Sequence, residues 1–189
     1  MRKGYTVKIF FKIIVVLMVV SIIVILLYQF IMKKVYNTKY NEYVYLYAEE
    51  NGVDPMLIFA IIKTESNFDP NAKSSVDAKG LMQLMESTAI EVAKELEIEN
   101  FETEMLYNPE INIKIGIKYF SNLLNMYGNI NTAIVAYNAG PGSVKKWIEQ
   151  EIIKEDGSDI ENVPFKETNL YIRKVLRDYK IYKSLYNSV

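Results

Sequence analysis

In the segment Ile61 to Pro70, IIKTESNFDP, one carboxylate, Glu65, closes an apolar run that begins at Met56. A carboxyl group in the last turn of a helix faces the negative end of the helix dipole, and burial beside Ile61 and Ile62 further disfavours its charged form. Both effects raise its pKa, as a general acid working near neutral pH requires. The chain holds no histidine and no cysteine. That excludes Ser-His-Asp and cysteine nucleophiles, disulfides and ordinary zinc sites, so acid-base work falls to a carboxylate, a lysine or a tyrosine. The nearby Asp69, Asp77 and Glu86 sit in turn or helix-start contexts, and none stands out. With 22 basic and 23 acidic residues, a formal net charge of -1, the chain carries no electrostatic footprint for nucleic acid.

The elements that must place Glu65 read as helices. From Tyr40 onward the apolar period is helical almost throughout, with no convincing period-two alternation, so the expected fold class is all-α. Tyr40 to Asn51 forms a first helix. Asp54 and Pro55 then supply an N-cap and a proline at the first helical position for PMLIFAIIKTES. After a polar loop, Asn67 to Lys79, comes GLMQLMESTAIEVAKEL, where Thr88 with Glu91 reads as a capping box. Asn108-Pro109 opens a long helix with Ile113, Ile117, Phe120, Leu124 and Tyr127 on one stripe, stopped by Gly128. NTAIVAYNAGPG is a short helix that breaks at Gly140-Pro141-Gly142, and Ser143 to Glu151 is another. Lys154 to Asn162 is a charged loop, and the chain closes with a helix from Lys166 to Asn187.

Ahead of this lies Ile13 to Met32, twenty residues without a charge, which as a helix rise about 30 Å, the thickness of a hydrocarbon core. The segment is expected to be an uncleaved transmembrane anchor. A cleaved signal peptide fits less well, because the apolar run is long and Gln29 to Lys34 offers no small-x-small cleavage site. Arg2, Lys3, Lys8 and Lys12 outweigh Lys33, Lys34 and Lys39, which points residues 1-12 to the cytoplasm and the C-terminal part outside. The expected organisation is thus a short N-terminus (1-12), an anchor (13-32), a tether (33-38) spanning about 20 Å at most, and an outer domain (39-189).

Three stretches repeat one design, an apolar helix end followed by a turn with polar residues at the junction: TESNFDP, GLMQLM and AYNAGPG. In this order and spacing they resemble the catalytic domain of the lytic transglycosylases, the soluble-lytic-transglycosylase-like, lysozyme-like family (glycoside hydrolase family 23 type), over about Tyr40 to Tyr186. The resemblance implies a helical lysozyme-like domain, α+β at most, with no metal or cofactor. It implies that Glu65 acts first as acid on the bond between N-acetylmuramic acid and N-acetylglucosamine in peptidoglycan, then as base toward the sugar's C6 hydroxyl, leaving a 1,6-anhydro end. It further implies that Ser66 completes the glutamate's motif, that Ser75 lies near the cleft, and that Met82 and Gln83 line the sugar site. Tyr137 is expected to hydrogen-bond the catalytic carboxyl, Asn138 to hold substrate, Glu167 to sit in the cleft and Tyr171 to contact sugar. The sequence departs from the family at Asp77, Lys79 and Glu86, which are expected at the cleft rim.

Two other readings stay open: a goose-type-lysozyme-like muramidase in which water replaces the C6 hydroxyl, and a non-catalytic glycan-binding assembly protein. The short tether implies work on glycan strands next to the membrane, opening the wall for a secretion or conjugation apparatus or for growth.

Overall fold

The computed structural model describes residues 2–186 and divides into two units, Met1–Asn37 and Thr38–Val189. The first unit is one helix, α1 (Arg2–Val35). Within it Phe11–Val35 is long and apolar enough to cross a membrane, and its large aliphatic side chains stand exposed. The helix outruns the expected span at both ends. Lysine is a good helix former and nothing breaks the chain between Lys33 and Val35, so half of the expected tether is helical and the linker shortens accordingly.

The second unit comprises α2 (Asn41–Glu50), α3 (Pro55–Glu65), α4 (Glu86–Glu95), α5 (Pro109–Tyr127), α6 (Ile130–Ala139), α7 (Pro141–Glu149) and α8 (Lys166–Tyr186), with 3-10 turns at Thr103–Tyr107 and Ile160–Asn162. Among the described residues there is no strand; isolated bridges join Lys79 to Lys73 and to Leu84. The all-α expectation is met.

At the centre lies α3, with every side chain from Met56 to Ile62 buried. A helix that is apolar all round belongs inside a core. Its start is set as the sequence dictates: Asp54 Oδ1 accepts from the Met56 amide at 2.8 Å, and Pro55 occupies the first turn. Beyond Ser66 the chain reverses through two consecutive left-handed residues, Asn67 (φ 50°) and Phe68 (φ 66°). The turn brings the Phe68 ring back to Phe59, with centroids 6.4 Å apart. α8 packs along α3 and grips both of its ends. Tyr179 donates to Asp54 Oδ2 at 2.6 Å at the start, and Tyr171 and Lys174 reach its end.

α5 begins at the Asn108 cap, whose Oδ1 accepts from Glu110 and Ile111, and ends at left-handed Gly128. Two boundaries differ from expectation. α4 starts at Glu86 with extended Met85 at its N-cap and no side-chain cap, which puts Thr88 inside the first turn, so the Thr88–Glu91 box does not form. Pro141 opens α7 instead of only ending α6, with Gly140 (φ 82°) as the sole joint. Proline at the first helical position costs no hydrogen bond. The expected final residue of the last helix, Asn187, lies outside the described residues.

Candidate active site

Glu65, the last residue of α3, is half-buried, and its Oε1 accepts a hydrogen bond from the Tyr171 hydroxyl at 2.6 Å. Burial pushes its carboxyl up to about 7, against the smaller opposing effects of the Tyr171 hydrogen bond and the Lys174 charge. Near neutral pH the group therefore holds a proton it can release. Burial raises the Tyr171 and Tyr137 hydroxyls well above their ordinary value, and the Glu65 charge adds to this. Both phenols stay protonated and act as donors.

Glu65 opens onto a cavity of about 240 Å³ whose walls include Ser74, Val76, Ala78, Gln83, Met85, Tyr137, Asn138 and Glu167. A neighbouring cavity of about 260 Å³ shares Gln83, Met85, Tyr137 and Asn138 and extends to Thr88 and Tyr119. The shared walls make these two lobes of one groove with the carboxyl at one end. A larger cavity of about 380 Å³, walled by Met126, Tyr127, Pro141 and Ile148, contains none of the expected site residues. Among the described residues no group of three acidic side chains converges as a metal ion would require.

Gln83 and Leu84, which wall the groove, belong to the turn from Lys79 to Leu84, and one buried side chain on α5 holds that turn. Asn112 is fully enclosed; its Oδ1 accepts from the Met82 amide at 2.8 Å, and its Nδ2 donates to the Lys79 and Leu106 carbonyls at 3.0 and 2.8 Å. An amide satisfied at both ends in a core fixes the backbone it touches. Gly80 is left-handed (φ 76°), and a Cβ there would lie 2.3 Å from Asn112, so only glycine fits. The held turn then supports the catalytic end: Ser66 Oγ donates to the Leu81 carbonyl at 2.8 Å, and Tyr137 donates to the Met82 carbonyl at 2.7 Å.

The structure brings together Glu65, Gln83, Tyr137, Asn138 and Glu167 around one cavity, with Tyr171 bonded to the acid. Several expected roles change. The carboxyl's partner differs from expectation: Tyr171, from α8, donates to it, while Tyr137 donates to the Met82 carbonyl. The Met82 side chain is fully buried against Gly116 and lines no part of the groove. Ser74 and not Ser75 faces the cavity, because the loop alternates and leaves Ser75 exposed. Gln83 sits at φ 47° with its amide nitrogen donating to the Ala72 and Gly80 carbonyls, which leaves its oxygen to accept from a ligand. Lys79 is not at the rim: it is buried and pairs with Glu104 at 2.9 Å. Asp77 pairs with Lys73 at 2.6 Å, and Glu86 lies exposed at the start of α4.

Sequence reasoning missed Ser74, Val76, Met85, Thr88, Tyr119 and Asn112. Only Asn112 left a signal, as a lone amide between two isoleucines. Ser74, Val76 and Met85 depend on which way a loop turns, and Thr88 and Tyr119 on how α4 and α5 pack beside it.

The transglycosylase SLT domain profile matches residues 42–160. The chain is 36% identical over 140 residues to the soluble lytic murein transglycosylase of Salmonella typhimurium, covering 72% of this chain and 22% of that protein. It is 41% identical over 119 residues to the membrane-bound lytic murein transglycosylase C of Edwardsiella ictaluri, covering 56% of this chain and 32% of that protein. Among solved structures, an inactive mutant of lytic transglycosylase Slt from Pseudomonas aeruginosa superposes with a TM-score of 0.74 at 35% identity, covering 81% of this chain and 25% of that one. The 70-kDa soluble lytic transglycosylase of Escherichia coli gives a TM-score of 0.72 at 30% identity, over 81% and 25%. The chain thus spans only a fifth to a third of the length of these relatives. α8, which supplies Tyr171, Lys174 and Glu167, lies beyond the profile's last matched residue.

Proposed function

Because the chain belongs to the transglycosylase SLT domain family, we propose that it is a peptidoglycan lytic transglycosylase cleaving the β-1,4 bond between N-acetylmuramic acid and N-acetylglucosamine. The observation that carries this reading is the half-buried Glu65 carboxyl, held near neutral pKa at one end of a groove with polar walls. Glu65 gives its proton to the glycosidic oxygen as the bond from the muramyl C1 breaks. Its carboxylate then takes the proton of the same sugar's C6 hydroxyl while O6 bonds to C1. The acid is regenerated, no water is consumed, and the glycan ends in a 1,6-anhydro ring. Tyr171 supports the carboxylate between the two steps, and the free oxygen of Gln83 with Asn138 orients hydroxyl or acetamido groups.

The test is mass spectrometry of purified peptidoglycan digested by the full chain in detergent. Anhydro ends are expected, and Glu65→Gln is expected to lower their rate by about 10²- to 10⁴-fold, the range of a positioned acid. Full activity in Glu65→Gln overturns the assignment. One observation favours a second reading: Glu167 shares the cavity, and a second carboxylate suits activation of water. Hydrolysed reducing ends in the same spectra would select this muramidase chemistry.

We also propose that α1 anchors the chain in a membrane with residues 38–189 outside the cytoplasm, which would keep the groove near the membrane surface and suit it to opening the wall for growth or for an export apparatus. Since the chain has no cysteine, a single Ser184→Cys tests orientation. Labelling by a membrane-impermeant maleimide in intact cells supports the reading, and labelling only after lysis refutes it.

A further inference from the structure

We propose that Lys174 is a positioning residue for Glu65: its ammonium, docked on the Thr64 carbonyl at the end of α3, supports the carboxylate that remains once Glu65 has given its proton away. The inference rests on the acid role proposed above. Lys174 Nζ donates to the Thr64 carbonyl at 3.3 Å, one residue before Glu65. The carbonyls of a helix's last turn lack intrahelical partners and carry its negative end, so a cation there is favourable. Tyr171 and Lys174 lie three positions apart on α8 and so share a face. That face presents to the end of α3 one neutral donor for the carboxyl and one positive charge behind it.

The remaining charged surroundings do not duplicate this. Tyr137 of α6 is a neutral donor engaged by Met82, and Glu167, in the first turn of α8, brings a negative charge to the cavity wall. The loop between α3 and α4 lines the cavity with uncharged side chains only; its Lys73 pairs with Asp77 and its Lys79 with Glu104. α2 turns Glu42, Glu49 and Glu50 to solvent. Lys63, on α3 itself, faces Asp178, Lys174 and Arg177 and donates to Asn67 Oδ1 at 3.4 Å. Among the described residues, Lys174 is therefore the cation acting on the Glu65 carboxyl. Its function follows from the reaction: proton transfer leaves a carboxylate in a desolvated site just as positive charge develops on the sugar, and that carboxylate needs partners that do not compete for its proton.

The experiment compares wild type, Lys174→Met and Lys174→Arg as full chains in nanodiscs. One readout is the ¹³C titration of the Glu65 carboxyl, identified by its loss in Glu65→Gln; the other is the pH profile of kcat/KM. Removing a nearby cation favours the protonated acid, so Lys174→Met is expected to move the titration midpoint and the alkaline limb up by about 0.2 to 0.7 pH unit. Lys174→Arg is expected to return both toward wild type. Because Lys174 is exposed, added salt should shrink the wild-type-to-Met difference. A midpoint unmoved in Lys174→Met overturns the proposal even if activity falls, since lost packing alone would leave the titration in place. Should wild type leave no cleaved glycan while the midpoint still moves, the catalytic reading fails and the electrostatic assignment stands.

Discussion

Ile13 to Met32 of α1 and Met56 to Ile62 of α3 are both apolar around their whole circumference, yet the first stands exposed and the second is enclosed. The membrane-length part of α1, Phe11–Val35, runs 25 residues with its aliphatic side chains exposed. α3 is 11 residues long, and its side chains from Met56 to Ile62 are buried by the helices around it. Length separates them: a hydrocarbon core asks for about 20 residues, whereas a domain of this size can enclose only a short apolar helix. The second difference is where each helix turns polar. α1 runs out into lysines, while α3 ends in Glu65, whose charge has no water to meet it on the buried side. The same apolarity that leaves one helix able to cross a membrane raises the pKa of the acid at the end of the other.

The sharpest way to break this comparison is to shorten an equivalent side chain in each helix. Ile58→Ala in α3 is expected to cost about 2–5 kcal/mol of domain stability through the cavity it leaves, whereas Ile23→Ala in α1 should leave urea unfolding of the domain within about 0.5 kcal/mol of wild type. Equal losses would end the distinction. A charge probes the solvent of α1 directly: Ile23→Arg is expected to cost about 2.5–3.5 kcal/mol of membrane insertion, read as protein lost from the carbonate-resistant membrane fraction.

At the end of α3 the same burial has a pH signature. The folded Glu65 value of about 7 lies above its ordinary 4.5, so its contribution to stability is fully present below pH 4.5 and lost as pH rises through 7. Glu65→Gln should remove this dependence and exceed wild type by about 2–3 kcal/mol at pH 8, a gap that closes toward pH 5 in chemical unfolding. A smaller effect is expected of Tyr171→Phe, which deletes the hydrogen bond to the carboxylate. It should raise the Glu65 midpoint and the alkaline limb of activity by about one pH unit; no shift would mean that the 2.6 Å contact is idle in solution.

Much of the scaffold was legible in the sequence, for local reasons. Asp54-Pro55, Asn108-Pro109 and Gly128 mark helix ends through hydrogen bonds and backbone preferences that act within a few residues, and each does so in the structure. The boundary at α4 was misread because the Thr88–Glu91 spacing fits a capping box equally well whether or not the backbone already turned helical at Glu86. In the site, Glu65 was legible because TESNFDP, GLMQLM and AYNAGPG together resemble the lytic transglycosylase motifs; a glutamate at the end of an apolar helix would by itself read as an ordinary terminus. The partner of its carboxyl was not: Tyr137 and Tyr171 are both tyrosines at helical spacing, and which hydroxyl reaches the acid depends on how α6 and α8 cross α3.

By itself the sequence determined that acid-base chemistry falls to a carboxylate, a lysine or a tyrosine, that the chain past Tyr40 is helical, and that one segment is long and apolar enough for a membrane, because composition and short-range periodicity carry that information. Only the tertiary structure decided that Tyr171 and Lys174 meet the end of α3, that Asn112 holds the Lys79–Leu84 turn, that Met82 belongs to the core, and that Lys79 points away from the groove. Those facts depend on contacts between residues up to 110 positions apart, where hydrogen-bond geometry and burial are set by packing and leave no local pattern.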